Sequence, residues 1–165
     1  MLMEEIQPQE YKIMVDMDGV LADFIRGVNE KIPGGYIEGN NKQMWKDVKE
    51  YSQNGGRLWA ELEPMPDAME LWNYVKQHNP EILTSAGNPA FGADEQKQEW
   101  IKNRIGNPKV NIVRKSAEKA GMATPQTILI DDLPKSIDPW VAAGGIGILH
   151  TSAKNTIAEL KKLGL

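Results

Sequence analysis

Five short apolar runs punctuate the chain, at residues 11–17, 81–85, 110–114, 127–131 and 145–149. Most are too uniformly apolar for a sheet with one wet face, so they predict strands covered on both sides. Between them the pattern shifts to a helical period. In PDAMELWNYVKQH, Ala68, Leu71, Trp72 and Val75 fall at i, i+3, i+4 and i+7, and Asp67 and Glu70 stand at capping-box spacing after Pro66. ADEQKQEWIKNRIG predicts a helix that starts at Asp94, buries Trp100, Ile101 and Ile105, and stops at Gly106. AKNTIAELKKLG, with Ile157, Leu160 and Leu163 on one face, predicts a closing helix. Strands alternating with helices in this way predict an α/β fold, a Rossmann-like parallel sheet flanked by helices.

Residues 25–65 break the rhythm. Glycine and asparagine pairs at Gly34-Gly35, Gly39-Asn40-Asn41 and Asn54-Gly55-Gly56 divide a stretch that carries Trp45 and Trp59 and has no strand-like run. The expectation is a small, mainly helical cap over 25–65, inserted into a core formed by 8–24 and 66–165.

Size and composition narrow the choices. A chain of 165 residues is long enough for one domain with a real core. Its net charge of −4 and lack of a basic stripe argue against a grip on long nucleic acid, while a small anionic ligand remains compatible. With no cysteine and two histidines, thiolate chemistry is excluded and a histidine-rich metal site is disfavoured. No apolar run reaches the roughly 20 residues that span a bilayer. The acidic start MLMEEIQPQE lacks the pattern of a secretory signal, so the expected location is the cytoplasm.

The chemistry collects where the apolar runs end. YKIMVDMDGVLADF places Asp16 and Asp18 after the first run, ILTS places Thr84 and Ser85 after the second, and ILIDD places Asp131 and Asp132 after the fourth. The basic segment from Arg114 to Lys119 follows the third. Open parallel sheets bind ligands beyond the carboxyl ends of their strands. Carboxylates gathered there repel one another, and a divalent cation relieves the conflict; hard oxygen ligands without His or Cys select Mg²⁺. Each piece has a plainer reading of its own. Asp-Gly after a strand is a common turn, Thr-Ser a common turn or helix cap, and a lone lysine is usually solvated. Their order and shared position favour a joint site for metal and phosphate.

VDMDGVLADF resembles the first motif of the haloacid dehalogenase-like phosphatases, and its DMDGVLADF form is similar to the 5′(3′)-deoxyribonucleotidase family. ILTSAGN resembles that family's second motif, ILIDD its fourth, and LWAELEPMPDAMELW the return from its cap. The resemblance implies that Asp16 is a nucleophile forming an aspartyl-phosphate, and that Asp18 is the general acid and then base. It implies Mg²⁺ held by Asp16, the Asp18 backbone carbonyl and Asp132, with Asp131 in support. Thr84, with Ser85 nearby, is expected to hold phosphoryl oxygens. The phosphate-binding lysine is expected to be Lys119, with Lys115 as the alternative. Where the family often has an arginine after its acidic pair, this chain has Leu133, with Lys135 two residues on.

For the substrate, Phe24, Trp45 and Trp59 are expected to form an aromatic slot for a base, with Arg57 as a further contact; the tryptophans could equally be the core of the insertion. The expected activity is Mg²⁺-dependent dephosphorylation of a small phosphomonoester, a (deoxy)nucleoside monophosphate above others. Alternatives are a sugar phosphate or nucleic-acid 3′-phosphate, a signalling receiver domain, and a nucleotide-binding protein without turnover. The receiver reading is disfavoured by order, since its acidic pair normally sits on the first strand.

Overall fold

The structure, a computed structural model, describes residues 10–165. The acidic N-terminal segment and the expected core boundary at residue 8 lie outside the described residues. Five strands form one parallel sheet: β1 Lys12–Val15, β2 Glu81–Ser85, β3 Val110–Val113, β4 Thr127–Asp131 and β5 Ile146–Leu149, in the spatial order β3-β2-β1-β4-β5. Helices α1 Phe24–Lys31 and α2 Lys42–Gln53 lie between β1 and the Pro64–Pro66 segment. They are followed by α3 Ala68–Val75, α4 Ala93–Arg104, α5 Pro134–Ala142 and α6 Ala153–Lys162. Among the described residues no helix is long and apolar enough to cross a membrane.

The three inner strands are buried on both faces and the outer two are not, so the uniform apolar pattern does not distinguish centre from edge: Leu149 on β5 is 47% exposed. Alternation along each strand sends side chains to opposite layers. Ile13, Val15, Ile82, Ile128 and Ile130 join one continuous core with α3, α4 and α6, while Met14, Leu83 and Leu129 pack under Ile137 and Trp140 of α5. Val28, Met44, Val48, Leu58, Trp59 and Leu62 belong to the first of these layers. The segment between β1 and α3 therefore shares the main core. Gly27 permits the close contact, because a Cβ there would lie 2.2 Å from Leu62 Cδ2.

The expected capping box at α3 is not formed. Asp67 makes no side-chain bond to its own helix; its Oδ2 accepts the Ala153 N–H at 2.7 Å and so caps α6 instead. Tertiary packing of α3 against α6 redirects it. Asp94 likewise lies within the first turn of α4, after Gly92 at the cap, and its carboxylate is ion-paired with Arg114.

His150 follows β5 and is buried, with Nδ1 2.7 Å from Thr156 Oγ1. Burial holds its pKa below the ordinary value, against the opposing pull of the Asp67 and Asp16 carboxylates. The unfolded chain therefore takes up this proton at higher pH than the folded one. The stability that His150 contributes is present above about pH 6.5 and is lost as pH falls through the folded value. His150→Gln removes that titration, so its stability deficit relative to the parent should shrink between about pH 7.5 and about pH 5.5 in denaturant melts.

Candidate active site

Strand order explains why residues far apart in sequence meet. β1 lies between β2 and β4; the chain builds outward through β2 and β3 on one side, then crosses back to β4 and β5 on the other, which makes the carboxyl end of β1 the switch point of the sheet. Val15 is in register with Ile130 on one side and Ile82 on the other. One residue further along, the Asp16 N–H donates to the Ile130 carbonyl at 2.9 Å. Asp16 and Asp131 therefore end neighbouring strands at one level, with Asp132 and Thr84 one residue further along.

Asp16, Asp131 and Asp132 each bring a carboxylate oxygen within 4.8 Å of the others. Lys119, buried in the 3-10 helix Ser116–Met122, donates to Asp16 Oδ1 at 2.9 Å and Asp131 Oδ2 at 2.7 Å. Burial alone would lower the lysine's pKa, but the two carboxylates outweigh it and the net shift is upward. For Asp16, burial drives the pKa up, Lys119 opposes it, and Asp131 adds to the rise. Asp131 also accepts the Leu133 N–H at 3.0 Å through Oδ1, so both of its oxygens are engaged.

Asp132 is different. Its Oδ1 is buried without a hydrogen-bond partner, and burial, reinforced by Asp16 and Asp131, pushes its pKa up to about 8. A carboxylate placed there without a countercharge is one that a bound cation would stabilise as an ion. Asp16, Asp131 and Asp132 could together hold a hard cation, and all-oxygen donors suit Mg²⁺. Gly19 keeps the space open: its φ is +84°, and a Cβ there would fall 2.1 Å from Asp132 Oδ2.

Asp18 stands apart from this cluster. Its Oδ2 accepts from Lys97 Nζ at 2.9 Å and from Trp59 Nε1 at 3.2 Å, while Oδ1 is buried and unpartnered. Lys97 also donates to Thr84 Oγ1 at 2.8 Å and to the Ser85 carbonyl at 2.7 Å. Thr84 is consequently fully buried behind the site, and of the pair it is Ser85 that lines the cavity.

Asp16, Asp18, Asp132, Lys119 and Ser85 line one end of a cavity of about 780 Å³. Its wall is aromatic. Phe24 stacks on Trp45 with centroids 5.8 Å apart and on Trp59 at 6.1 Å, and Phe91 lies 5.5 Å from Trp45. Tyr36 meets Phe24 edge-on at 6.5 Å. Lys115 and Lys135 are exposed residues lining the same cavity, as is Leu133. Of the two lysines weighed for the phosphate, Lys119 is the one the fold brings to the carboxylates. Arg57 is not on the wall; it is exposed and ion-paired with Glu99.

Sequence reasoning missed Lys97, Phe91 and Tyr36. Lys97 had a readable signal: it lies four residues after Ala93 and three before Trp100, in the middle of the buried face of α4. A lysine in that register needs acceptors. Phe91 ends the short 3-10 helix Pro89–Phe91 and Tyr36 sits in a loop, and neither segment is long enough to show a periodicity that would mark them.

The chain has the haloacid dehalogenase-like fold, a parallel five-stranded sheet flanked by helices. No protein-family model and no curated protein sequence matches it. Among solved structures it is similar to a hydrolase from Streptococcus pneumoniae TIGR4, with 14% identity, a TM-score of 0.53, and coverage of 93% of this chain and 99% of that one. L-2-haloacid dehalogenase from Xanthobacter autotrophicus aligns with 13% identity and a TM-score of 0.54, over 92% of this chain and 82% of the other. A predicted phosphatase from Clostridium acetobutylicum aligns with 14% identity and a TM-score of 0.56, over 94% of this chain and 91% of that one.

Proposed function

We propose that this protein is a Mg²⁺-dependent phosphomonoesterase acting on small phosphate esters, with (deoxy)nucleoside monophosphates as the substrate class. The observation that carries the reading is the pairing of a carboxylate cluster, Asp16, Asp131 and Asp132 around Lys119, with an aromatic-walled cavity directly above it. Likeness to hydrolase and phosphatase folds supports the reaction class. Asp16 is the nucleophile: it lies at the cavity floor with one oxygen held by Lys119, which aims the other. Lys119 and Ser85 face the phosphoryl oxygens, and the ammonium offsets charge that would otherwise repel a carboxylate from a phosphate dianion. Mg²⁺, when bound by Asp16, Asp132 and the Asp18 backbone carbonyl, supplies further neutralisation of the attacked group. Asp18 supplies the proton to the departing alcohol.

The aromatic wall selects the rest of the substrate. Stacking against such faces contributes roughly 1–3 kcal/mol per base and tolerates different bases. Phosphate release from a mononucleotide panel, beside ribose 5-phosphate and an EDTA control, tests the reading. Nucleotides should be preferred, and Trp45→Ala should raise KM for them about tenfold while changing ribose 5-phosphate turnover little. Equal kcat/KM for ribose 5-phosphate and nucleotides would remove the nucleotide assignment.

A further inference from the structure

Five basic residues line the cavity, and three of them are spent on acids of this chain: Lys97 on Asp18, Lys119 on Asp16 and Asp131, and Arg114 on Asp94. Lys115 and Lys135 are different. Both are exposed, and among the described residues neither ammonium has an ion pair or a hydrogen bond. A single exposed lysine is ordinarily just solvated. Two unspent ammoniums on one concave wall, in a chain of net charge −4, run against the overall balance and give that wall a local pull on anions.

The layers of the fold decide where this basic rim stands. Lys115 precedes the 3-10 helix Ser116–Met122, and Lys135 lies in the first turn of α5. These two elements pack on each other over the sheet face that carries Met14, Leu83 and Leu129. Phe24, Tyr36, Trp45, Trp59 and Phe91 belong to the core of the opposite face. Asp16 follows the central strand, where the two faces meet. Aromatic wall, carboxylates and basic rim therefore follow one another across the mouth of the site.

Resting on the phosphomonoesterase reading above, we propose that Lys115 and Lys135 set specificity by receiving a second phosphate of the same substrate, so that the preferred class is a nucleoside bisphosphate. A base on the aromatic wall and one phosphate at Asp16 leave the far side of the sugar turned toward the rim. Lys119 already faces the attacked phosphate, which leaves the two outer lysines for the second group. An ammonium on a flexible stem meets phosphate as a point charge with three rotatable donors, so the rim needs no fixed geometry to act.

The test compares kcat/KM for adenosine 3′,5′-bisphosphate with that for adenosine 5′- and 3′-monophosphate, with Mg²⁺. It uses the parent, Lys115→Gln, Lys135→Gln and the double variant; both side chains are exposed, and melting curves check that each variant folds. The parent should favour the bisphosphate about tenfold over the better monophosphate, the size expected of hydrogen bonds to a charged group. Each single variant should lose part of that preference and the double variant all of it, through KM, with monophosphate turnover unchanged. Added salt should shrink the preference in the parent. A parent that treats the three nucleotides alike, or a preference that survives the double variant, would overturn the rim while leaving the phosphomonoesterase reading in place. Equal losses on monophosphate and bisphosphate would overturn it too, by assigning the lysines to the attacked phosphate. Calorimetric binding of the three nucleotides in EDTA repeats the comparison without turnover. If the parent releases phosphate from none of them, the phosphomonoesterase reading falls, and equal affinity for all three would remove the rim as well.

Discussion

Asp16→Asn should lower kcat for phosphate release by about four orders of magnitude or more, with little change in thermal stability. An amide is almost isosteric with the carboxylate and fits the same space, 5% exposed at the end of β1. It cannot form the acyl-phosphate bond at a useful rate. The fold should tolerate the change because Asp131 still receives Lys119 at 2.7 Å, so the buried ammonium keeps a charged partner. Removing Asp16 also relieves a carboxylate that burial and Asp131 already disfavour as an ion. The comparison needs phosphate release with Mg²⁺ and a melting curve for the same preparation. Near-parental turnover would show that another group attacks phosphorus.

The second large effect is expected at Asp132, where a bound metal would be linked to stability. Its carboxyl, pushed to about 8 by burial and then by Asp16 and Asp131, keeps its proton in the folded chain at a pH where the unfolded chain has lost it. Stability from this group is therefore full below its ordinary value of 3.8 and is lost as pH rises through about 8 in the metal-free protein. Mg²⁺ should reverse that trend, since a cation favours the ionised form. At one hundred times its dissociation constant, a bound ion adds about 2.7 kcal/mol, which is about 5–10 °C in Tm for a chain of this size. Asp132→Asn should lose most of both effects, the alkaline fall without metal and the rise with it. Its activity should drop about 10²–10³-fold, the loss of several kcal/mol of charge stabilisation. Melting curves between about pH 5 and about pH 9, with and without Mg²⁺, measure this directly. A parent chain whose Tm ignores Mg²⁺ at every pH would refute a metal site at Asp132.

Several elements were readable because their information is local. An unbroken apolar run ending in Asp-x-Asp-Gly specifies a buried strand, a sharp exit and two carboxylates near its tip, whatever lies beside it. Such runs predict strands covered on both faces, and the structure places β1 to β5 within the expected segments. The capping of α3 failed for the opposite reason: Asp67 accepts from the start of α6, distant in sequence, instead of from its own helix. Thr84 is similar. Its place at the end of β2 was legible, but the direction of its hydroxyl depends on Lys97, thirteen residues on and across the layer.

By itself, then, the order of residues determined the element types, the parallel α/β class and the carboxylates, hydroxyls and lysines available at the strand ends. The tertiary structure decided which of them face one another. Strand order β3-β2-β1-β4-β5 is a long-range property that brings Asp16 within 4.8 Å of Asp131 and Asp132, and the 3-10 helix after β3 carries Lys119 rather than Lys115 to them. It also joins Phe91 and Tyr36 to the aromatic wall and sets Lys97 and Trp59 on one oxygen of Asp18. Periodicity records which way a side chain points from its own element. Which partner it meets is settled by how buried charge finds its acceptors once the layers close.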